Sequence, residues 1–255
     1  MTRSLRITYV GHATLLIEVD GVRLLTDPIL RNQILHLRRS TSKVDQAWYK
    51  NIDAVLISHQ HWDHLDFTSL KLLADSTQLL VPLGTGPMFE RRGFQHVAEL
   101  TAGESVSVRS VSIEATEAIH DGARFRFGPP ADCLGFVVHG SYSVYFAGDT
   151  DLFPDMANLA GRLDVALLPV WGWGPTLGSG HLDPYRAAMA LQMLEPRLAI
   201  PIHWGTLHPF GFNWLNPSFL SDPPRSFARH AASLAPEVII QILPPGGSID
   251  PQDYL

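Results

Sequence analysis

The sequence predicts a single α/β domain over residues 1–255, with sheets packed inside helices. Three observations carry that expectation. Short runs rich in branched and aromatic residues, the composition of strands, recur along the chain. Helical segments fall between some of them, and no change of composition marks a linker. Hydrophobic residues make up 45% of the 255, enough for a sizeable core.

The elements follow in order. SLRITYV, ATLLIEV and VRLLTD read as opening strands, and Asp20-Gly21 between the second and third is a strong two-residue hairpin signal. DAVLISH and QLLVP are the next strands. Between them, residues 66–73 have the acidic start and apolar spacing of a helix. PMFERRG is a short helix with Gly93 as its C-cap. SVSVRSVSIEAT reads as one run of strand. LGFVVH and SYSVYFAG, joined through a short Gly-Ser link, form a second hairpin candidate. DVALLPV, LAIPIH and EVIIQIL are the last strands. Asp183-Pro184 supplies an N-cap and a first-turn proline to the helix DPYRAAMALQMLEP, and SFARHAASLA is a final short helix. Two glycine-rich loops, GWGPTLGSG at 172–180 and FGPPAD at 127–132, are of the kind that borders sites.

The totals exclude several functions. A formal net charge of −6 argues against a general nucleic-acid binder, which needs a basic face. Cys133 is the one cysteine, so it makes no intramolecular disulfide and no thiolate zinc site; a small buried hydrophobe is expected. MTRSLRITYVGHAT lacks the apolar stretch of a signal peptide, and no run approaches the ~18 apolar residues of a membrane span. The expectation is a cytoplasmic protein without a stable membrane anchor.

The chemistry is concentrated in HQHWDH, residues 59–64, directly after the apolar run DAVLIS. His59 and His61 alternate and can face one way on an extended segment. Asp63 and His64 lie where the chain turns into the next helix. Other strand ends also carry ligand-type side chains: His120 followed by Asp121, then Asp149, then His203. Strands that finish in His or Asp can converge their ends on one point. The two pairs within the cluster need not face the same point, so two metal positions are more natural than one. Imidazole and carboxylate ligands suit Zn²⁺, Fe²⁺ or Mn²⁺, and the lack of thiolates argues against a closed structural zinc site.

His59-x-His61-x-Asp63-His64, with His120, Asp149 and His203 following in order, resembles the metallo-β-lactamase superfamily. The resemblance covers nearly the whole chain. It implies an αββα four-layer sandwich with a dinuclear site, most simply of Zn²⁺, at one edge of two sheets. It implies that His59, His61 and His120 hold one metal, that Asp63, His64 and His203 hold the second, and that Asp149 bridges them. VGHATLLIEVDGVRLLTDPIL, DAVLISHQHWDHLD, VPLG, YFAGDTD, HLDP and IPIHWGT look more narrowly like the branch containing N-acylphosphatidylethanolamine phospholipase D. More distantly they look like the L-ascorbate-6-phosphate lactonase.

The activity so implied is hydrolysis by a metal-bound hydroxide, on a phosphodiester or on a lactone or related ester. Asp63 is the candidate to orient the nucleophile and shuttle a proton, besides ligating metal. Asp27, Asp66 and Asp121 are candidates to support the imidazoles. His181, at the end of the glycine-rich loop and before the Asp183-Pro184 helix start, is a candidate donor to a developing oxyanion. His12 in GHAT is expected to be structural or to support a ligand. Trp171, Trp173, Trp204 and Trp214 fall in or beside loops and as a group could wall an apolar pocket, suiting a small-molecule substrate with an apolar part. His36, His96, His139, His208 and His230 lack a partner motif and read as ordinary residues. Two other classes compete: a single-iron oxidoreductase of the same fold, which would use fewer of the second-position ligands, and a non-catalytic metal-binding protein. An oligomeric state is not read from the sequence.

Overall fold

The computed structural model of the chain describes residues 4–124, 131–212 and 217–255. Most of the FGPPAD stretch and Trp214 lie outside the described residues.

Two seven-stranded sheets face each other. The first is built from β1 (Leu5–Gly11), β2 (Thr14–Val19), β3 (Val22–Thr26), β6 (Ala54–Leu56), β7 (Gln78–Pro82), β8 (Val97–Leu100) and β17 (Ser248–Ile249). A three-stranded ribbon of β4 (Gln33–Ile34), β5 (Leu37–Arg39) and β15 (Leu207–Pro209) lies apart. The second large sheet takes β9 (Ser105–Val108), β10 (Val111–Glu117), β11 (Leu134–His139), β12 (Ser143–Phe146), β13 (Val165–Pro169), β14 (Leu198–Ile202) and β16 (Ile239–Ile240).

Strand direction decides where side chains can meet. In the first sheet β17, β1, β2 and β3 pair antiparallel, and β3, β6, β7 and β8 pair parallel. β1, β3 and β6 therefore run the same way and end at one edge. In the second sheet β12, β13 and β14 are parallel, and β10 joins them in direction through the antiparallel β11. Their C-terminal ends likewise share one edge. Ligand sites outside the carboxyl ends of such strands are the rule for open α/β sheets.

Both faces of the first sheet are buried, and its residues sort by alternation. Ile7, Tyr9, Leu15, Ile17 and Leu24 point into the central core with Phe136, Phe146 and Leu167 of the second sheet. Leu16, Leu25, Val55, Leu79 and Val81 point outward against α1 (Phe67–Leu70) and α2 (Gly86–Glu90), through Leu70 and Phe89. α3 (Pro184–Leu194) and α4 (Asp222–Leu234) pack on one another and cover the outer face of the second sheet against β13 and β14. Asp183 caps α3, accepting from the backbone N–H of Tyr185 and Arg186. The result is the helix–sheet–sheet–helix sandwich. Among the described residues no helix is long and apolar enough to cross a membrane.

Several boundaries differ from the sequence expectation for local reasons. The Asp20-Gly21 turn closes the β2–β3 hairpin with both residues at positive φ, 51° and 80°. SVSVRSVSIEAT is two strands, because Arg109 takes a φ of 52° and turns the chain back into a hairpin. The helix expected over 66–73 stops at Leu70. EVIIQIL pairs only through Ile239 and Ile240, at the edge of its sheet. The last helix begins earlier than expected, at Asp222, with two prolines tolerated in its first turn.

Phe136 and Phe146 sit directly opposite one another on β11 and β12, and both are fully buried. Replacing either with Ala should destabilise the fold by about 3–5 kcal/mol. Denaturant unfolding of the variants reads this as a lower midpoint at unchanged slope.

Candidate metal centre

The strand ends at the common edge bring one cluster together. β1 ends in Gly11 and leads to His12. β3 leads to Asp27, and β6 runs through Ile57 and Ser58 to His59. From the second sheet, β10 leads to His120, β12 to Asp149 and β14 to His203. The two sheets touch here. The His203 N–H donates to the His12 carbonyl at 2.8 Å, and the Leu134 N–H to the Ser58 carbonyl at 2.9 Å. Gly148 allows the approach: a Cβ there would stand 2.6 Å from that of Ser58.

The side chains form two groups of close donor atoms. His59, His61 and His120 make one; His12, Asp63, His64 and His203 make the other. Asp149 lies between them. Its Oδ2 is 3.1 Å from His64 Nε2, its Oδ1 is 3.3 Å from His203 Nε2, and it also groups with His120 and His181.

Hydrogen bonds on the far side of each ring settle which nitrogen faces the cluster. Carbonyl oxygens only accept, so His203 donates from Nδ1 to the Trp171 carbonyl at 2.6 Å. His120 donates from Nδ1 to the Gly180 carbonyl at 2.7 Å. His64 donates from Nδ1 to Asp27 Oδ2 at 2.7 Å. The Ser58 hydroxyl donates to the same carboxylate at 2.5 Å and so accepts from His59 Nδ1 at 2.9 Å. In all four rings Nε2 is thereby turned inward toward the cluster, that of His120 meeting His61 Nδ1 at 3.1 Å.

This arrangement demands positive charge, which tests whether the residues fit a metal. Nε2 of His64 and Nε2 of His203 face each other at 3.0 Å. Two lone pairs at that distance repel unless a cation, a proton or a metal ion, engages them. His59 Nε2 and Asp149 Oδ1 are buried without a hydrogen-bond partner among the described residues. Buried polar atoms are rarely left so. The set of imidazoles and carboxylates, with no thiolate, fits Zn²⁺, Mn²⁺ or Fe²⁺.

The electrostatics agree. Burial lowers the pKa of His59 well below the usual histidine value, lowers those of His61 and His120, and pushes His203 down to about 3. These rings are held neutral, the form that binds metal. Burial opposes charge on Asp63 and Asp149 too, yet the neighbouring histidines outweigh it and hold both pKa values well below the usual carboxylate range. His64 is the exception among the rings. Burial works against its charge, but Asp149 and Asp63 overcome this and raise its pKa well above the usual value. Without a metal, these carboxylates keep a proton on His64.

Residues around the cluster hold it in place. His12 donates from Nε2 to Asp63 Oδ2 at 2.9 Å. Arg124 donates to the carbonyls of Gln60 and Leu65, at 2.8 and 3.2 Å, and stacks 3.9 Å from the centroid of Trp62. It clamps the HQHWDH loop from outside. His181 donates from Nδ1 to the carbonyls of Gly178 and Ser179, which turns its Nε2 toward Asp149 Oδ2 at 3.6 Å. It is half-buried, at the mouth of the cluster.

The structure sorts the remaining sequence candidates. Asp27 supports an imidazole. Asp66 does not: it caps α1 through the Ser69 N–H and pairs bidentately with Arg31 at 2.8 and 2.9 Å. Asp121 accepts from the Ala123 N–H. Trp204 is a core residue, buried, with its ring 5.9 Å from Tyr9, so it walls no pocket. Trp171 and Trp173 remain with the glycine-rich loop, and Trp173 meets His36 edge-on at 5.3 Å. Sequence reasoning missed Ser58, Gly148 and Arg124. None belongs to a ligand-type pattern, and only Arg124, as a cation near an aromatic-acidic loop, carried any signal.

Known proteins resemble this chain in sequence and fold. A model described as a beta-lactamase superfamily domain matches residues 22–204. The chain belongs to the metallo-β-lactamase superfamily. A UPF0173 metal-dependent hydrolase of Methanopyrus kandleri is 34% identical, over 96% of this chain and 100% of its own length. Within the superfamily, the chain is a member of that metal-dependent hydrolase family. Among solved structures, Igni18, a metallo hydrolase of Ignicoccus hospitalis, superposes with a TM-score of 0.74 at 25% identity, covering 97% of this chain and 98% of that one. CmlA, a diiron β-hydroxylase of Streptomyces venezuelae, shares the fold with a TM-score of 0.73 at 20% identity, over 98% of this chain and 55% of that one.

Two outcomes test the centre. Metal uptake must displace the His64 proton, so apparent affinity should rise with pH, by about tenfold per unit while one proton is released. Calorimetry in buffers of different ionisation enthalpy reads that proton directly. The sign for the metal-free fold is the reverse: a raised histidine pKa stabilises it at low pH, and that contribution is lost as pH rises through the folded value. Asp27→Asn should weaken metal binding by roughly 10–100-fold, measured by competition with a chelator.

Proposed function

We propose that the chain is a dinuclear metal-dependent hydrolase acting on a phosphodiester or on a lactone or related ester. The observation that carries this reading is the position of Asp149 between two groups of inward-facing nitrogens. One ion would be held by His59, His61 and His120, the other by Asp63, His64 and His203, with Asp149 reaching both. Such ions, when bound, act as Lewis acids on a phosphoryl or carbonyl oxygen and bring the pKa of water to about 7.

The chain's own residues do the rest. Asp63 is ionised and fixed by the His12 N–H, so one carboxylate oxygen is oriented while the group stays available to accept from water and aim it. With the ions in place, a water so aimed would give a proton to Asp63 and add its oxygen to phosphorus or the carbonyl carbon, while the ester bond breaks and the leaving oxygen takes a proton. His181, when protonated, donates from Nε2, the nitrogen its loop carbonyls leave free, to oxygen charge developing on the substrate. Burial of the cluster keeps bulk water from screening these interactions. The quoted phrases GHAT and HWGT support the branch with N-acylphosphatidylethanolamine phospholipase D and the ascorbate-phosphate lactonase. Trp171 and Trp173 beside the mouth suit a substrate with an apolar part.

The oxidoreductase alternative needs only one of the two ligand groups for a single iron. Metal analysis with an oxygen electrode separates it: about two ions per chain without oxygen consumption supports the hydrolase, and one iron with oxygen uptake replaces it. A panel of phosphodiesters, lactones and thioesters on metal-reconstituted protein then selects the substrate class. Asp63→Asn should lower kcat by about 10²–10⁴-fold. His181→Ala should lower it by about 100-fold with metal content unchanged. Turnover unaltered in both variants would overturn this mechanism, and no turnover on any substrate class would favour a non-catalytic metal-binding protein.

A further inference from the structure

Three residues of the centre, His12, Asp27 and His203, have positive φ. Each lies close in sequence to a backbone carbonyl held by one short stretch, Arg39-Ser40, at the end of β5. Arg39 Nη1 donates to the Val10 carbonyl at 3.1 Å, just before His12. Nη2 donates to the Ile29 carbonyl at 2.6 Å, just after Asp27. The Ser40 hydroxyl donates to the Gly205 carbonyl and the Ser40 N–H to the Thr206 carbonyl, both at 2.7 Å, just after His203. β15, which follows, then pairs with β5, Leu207 opposite Arg39.

Stability alone does not explain an arginine at this position. Its side chain is turned into the protein, and Nε is buried without a partner among the described residues. Burial pushes its pKa down to about 10, and it remains a cation at neutral pH. Among the described residues it forms no ion pair, whereas Arg23, Arg31 and Arg186 each have a carboxylate. A buried charge without a counter-charge weakens a fold, and a well-packed apolar side chain of similar volume often does as well there. Yet space is kept for the guanidinium: a Cβ at Gly11 would stand 2.9 Å from Nη1. What arginine alone supplies is a rigid fork that spans two carbonyls on different loops. A lysine ammonium is a single point and cannot.

We propose that Arg39 is a positioning residue for the second metal position, that of Asp63, His64 and His203. The proposal rests on the dinuclear reading above. Fixing Val10 places His12, whose Nε2 donates to Asp63. Fixing Ile29 places Asp27, which accepts from His64. Ser40 secures the turn after His203. All three ligands of that position therefore depend on loops that the Arg39-Ser40 clasp holds. At the first position the clasp reaches only His59, through Asp27 and Ser58. Its hydrogen bonds reach neither the His61 nor the His120 segment. Loss of Arg39 is thus felt unevenly by the two ions, which an arginine serving the fold in general would not produce.

The test titrates Co²⁺ into metal-free protein and follows its visible absorption, with a competing chelator for tight steps. Wild type should take up two ions in two steps. Asp63→Ala, which deletes a ligand of the second position alone, marks the step that belongs to it. Arg39→Met removes fork and charge, and Arg39→Lys keeps the charge and removes the fork. Each should weaken the marked step by about 10–100-fold and leave the other near its wild-type value. Ser40→Ala loses one exposed hydroxyl, should weaken the same step by about two- to tenfold, and carries the test should neither Arg39 variant fold. Equal weakening of both steps, or no change at the marked step in the variants that fold, overturns the assignment while the dinuclear reading stands. Uptake of a single ion by wild type overturns that reading and the assignment with it.

Discussion

The buried carboxylate of Asp27 is the point on which the centre turns. One oxygen accepts from the Ser58 N–H at 2.8 Å; the other takes the Ser58 hydroxyl and the His64 ring together. Through Ser58 it also orients His59. A single side chain from the end of β3 thus aligns one imidazole in each of the two ligand groups. Its own backbone is tied on both sides, its N–H to the Leu56 carbonyl and its carbonyl to the Thr14 hydroxyl. Burial without these partners would make such a carboxylate prohibitive; with them it becomes a rigid acceptor at the right spot.

Rigidity at this edge has a conformational cost. His12, Asp27 and His203 all have positive φ, at 61°, 31° and 63°. Each such backbone costs of order 1–3 kcal/mol and persists only where its surroundings over-determine it. Here the surroundings are two sheets joined by the His203–His12 hydrogen bond, with Thr206 accepting from the His12 N–H at 2.9 Å. The strained residues are those whose side chains must leave the strand direction and turn into the cluster. Fold stability is thereby spent on alignment, the usual exchange at a functional edge.

How much of this was legible beforehand depends on distance along the chain. HQHWDH was visible because its ligand-type residues are packed into six positions after an apolar run, a local density that no ordinary strand end shows. His120, Asp149 and His203 were visible only as ends of separate strands, and their convergence required the parallel directions that pairing alone establishes. Asp27, Asp66 and Asp121 were indistinguishable in sequence, each an aspartate near a turn; only packing made the first a partner of His64 and the second a helix cap. Ser58 and Gly148 carried no chemical signature at all, since their roles are a relayed hydrogen bond and an empty space. Trp204 looked like a loop residue because the chain bends after His203, yet the bend drops the indole onto Tyr9.

The two candidate ligand groups draw on residues from position 59 to position 203, and on both sheets. An ion held there acts as a cross-link in a chain whose one cysteine can form no internal disulfide. An ion that binds the folded chain and not the unfolded one stabilises the fold by mass action, without the covalent link by which a disulfide restricts the unfolded ensemble. Metal supply and the lifetime of the folded chain become the same variable. A nascent chain cannot complete the clasp until β14 has been made. Before then the first sheet carries an unfinished half of it, with HQHWDH already in hand and no His203 to close on.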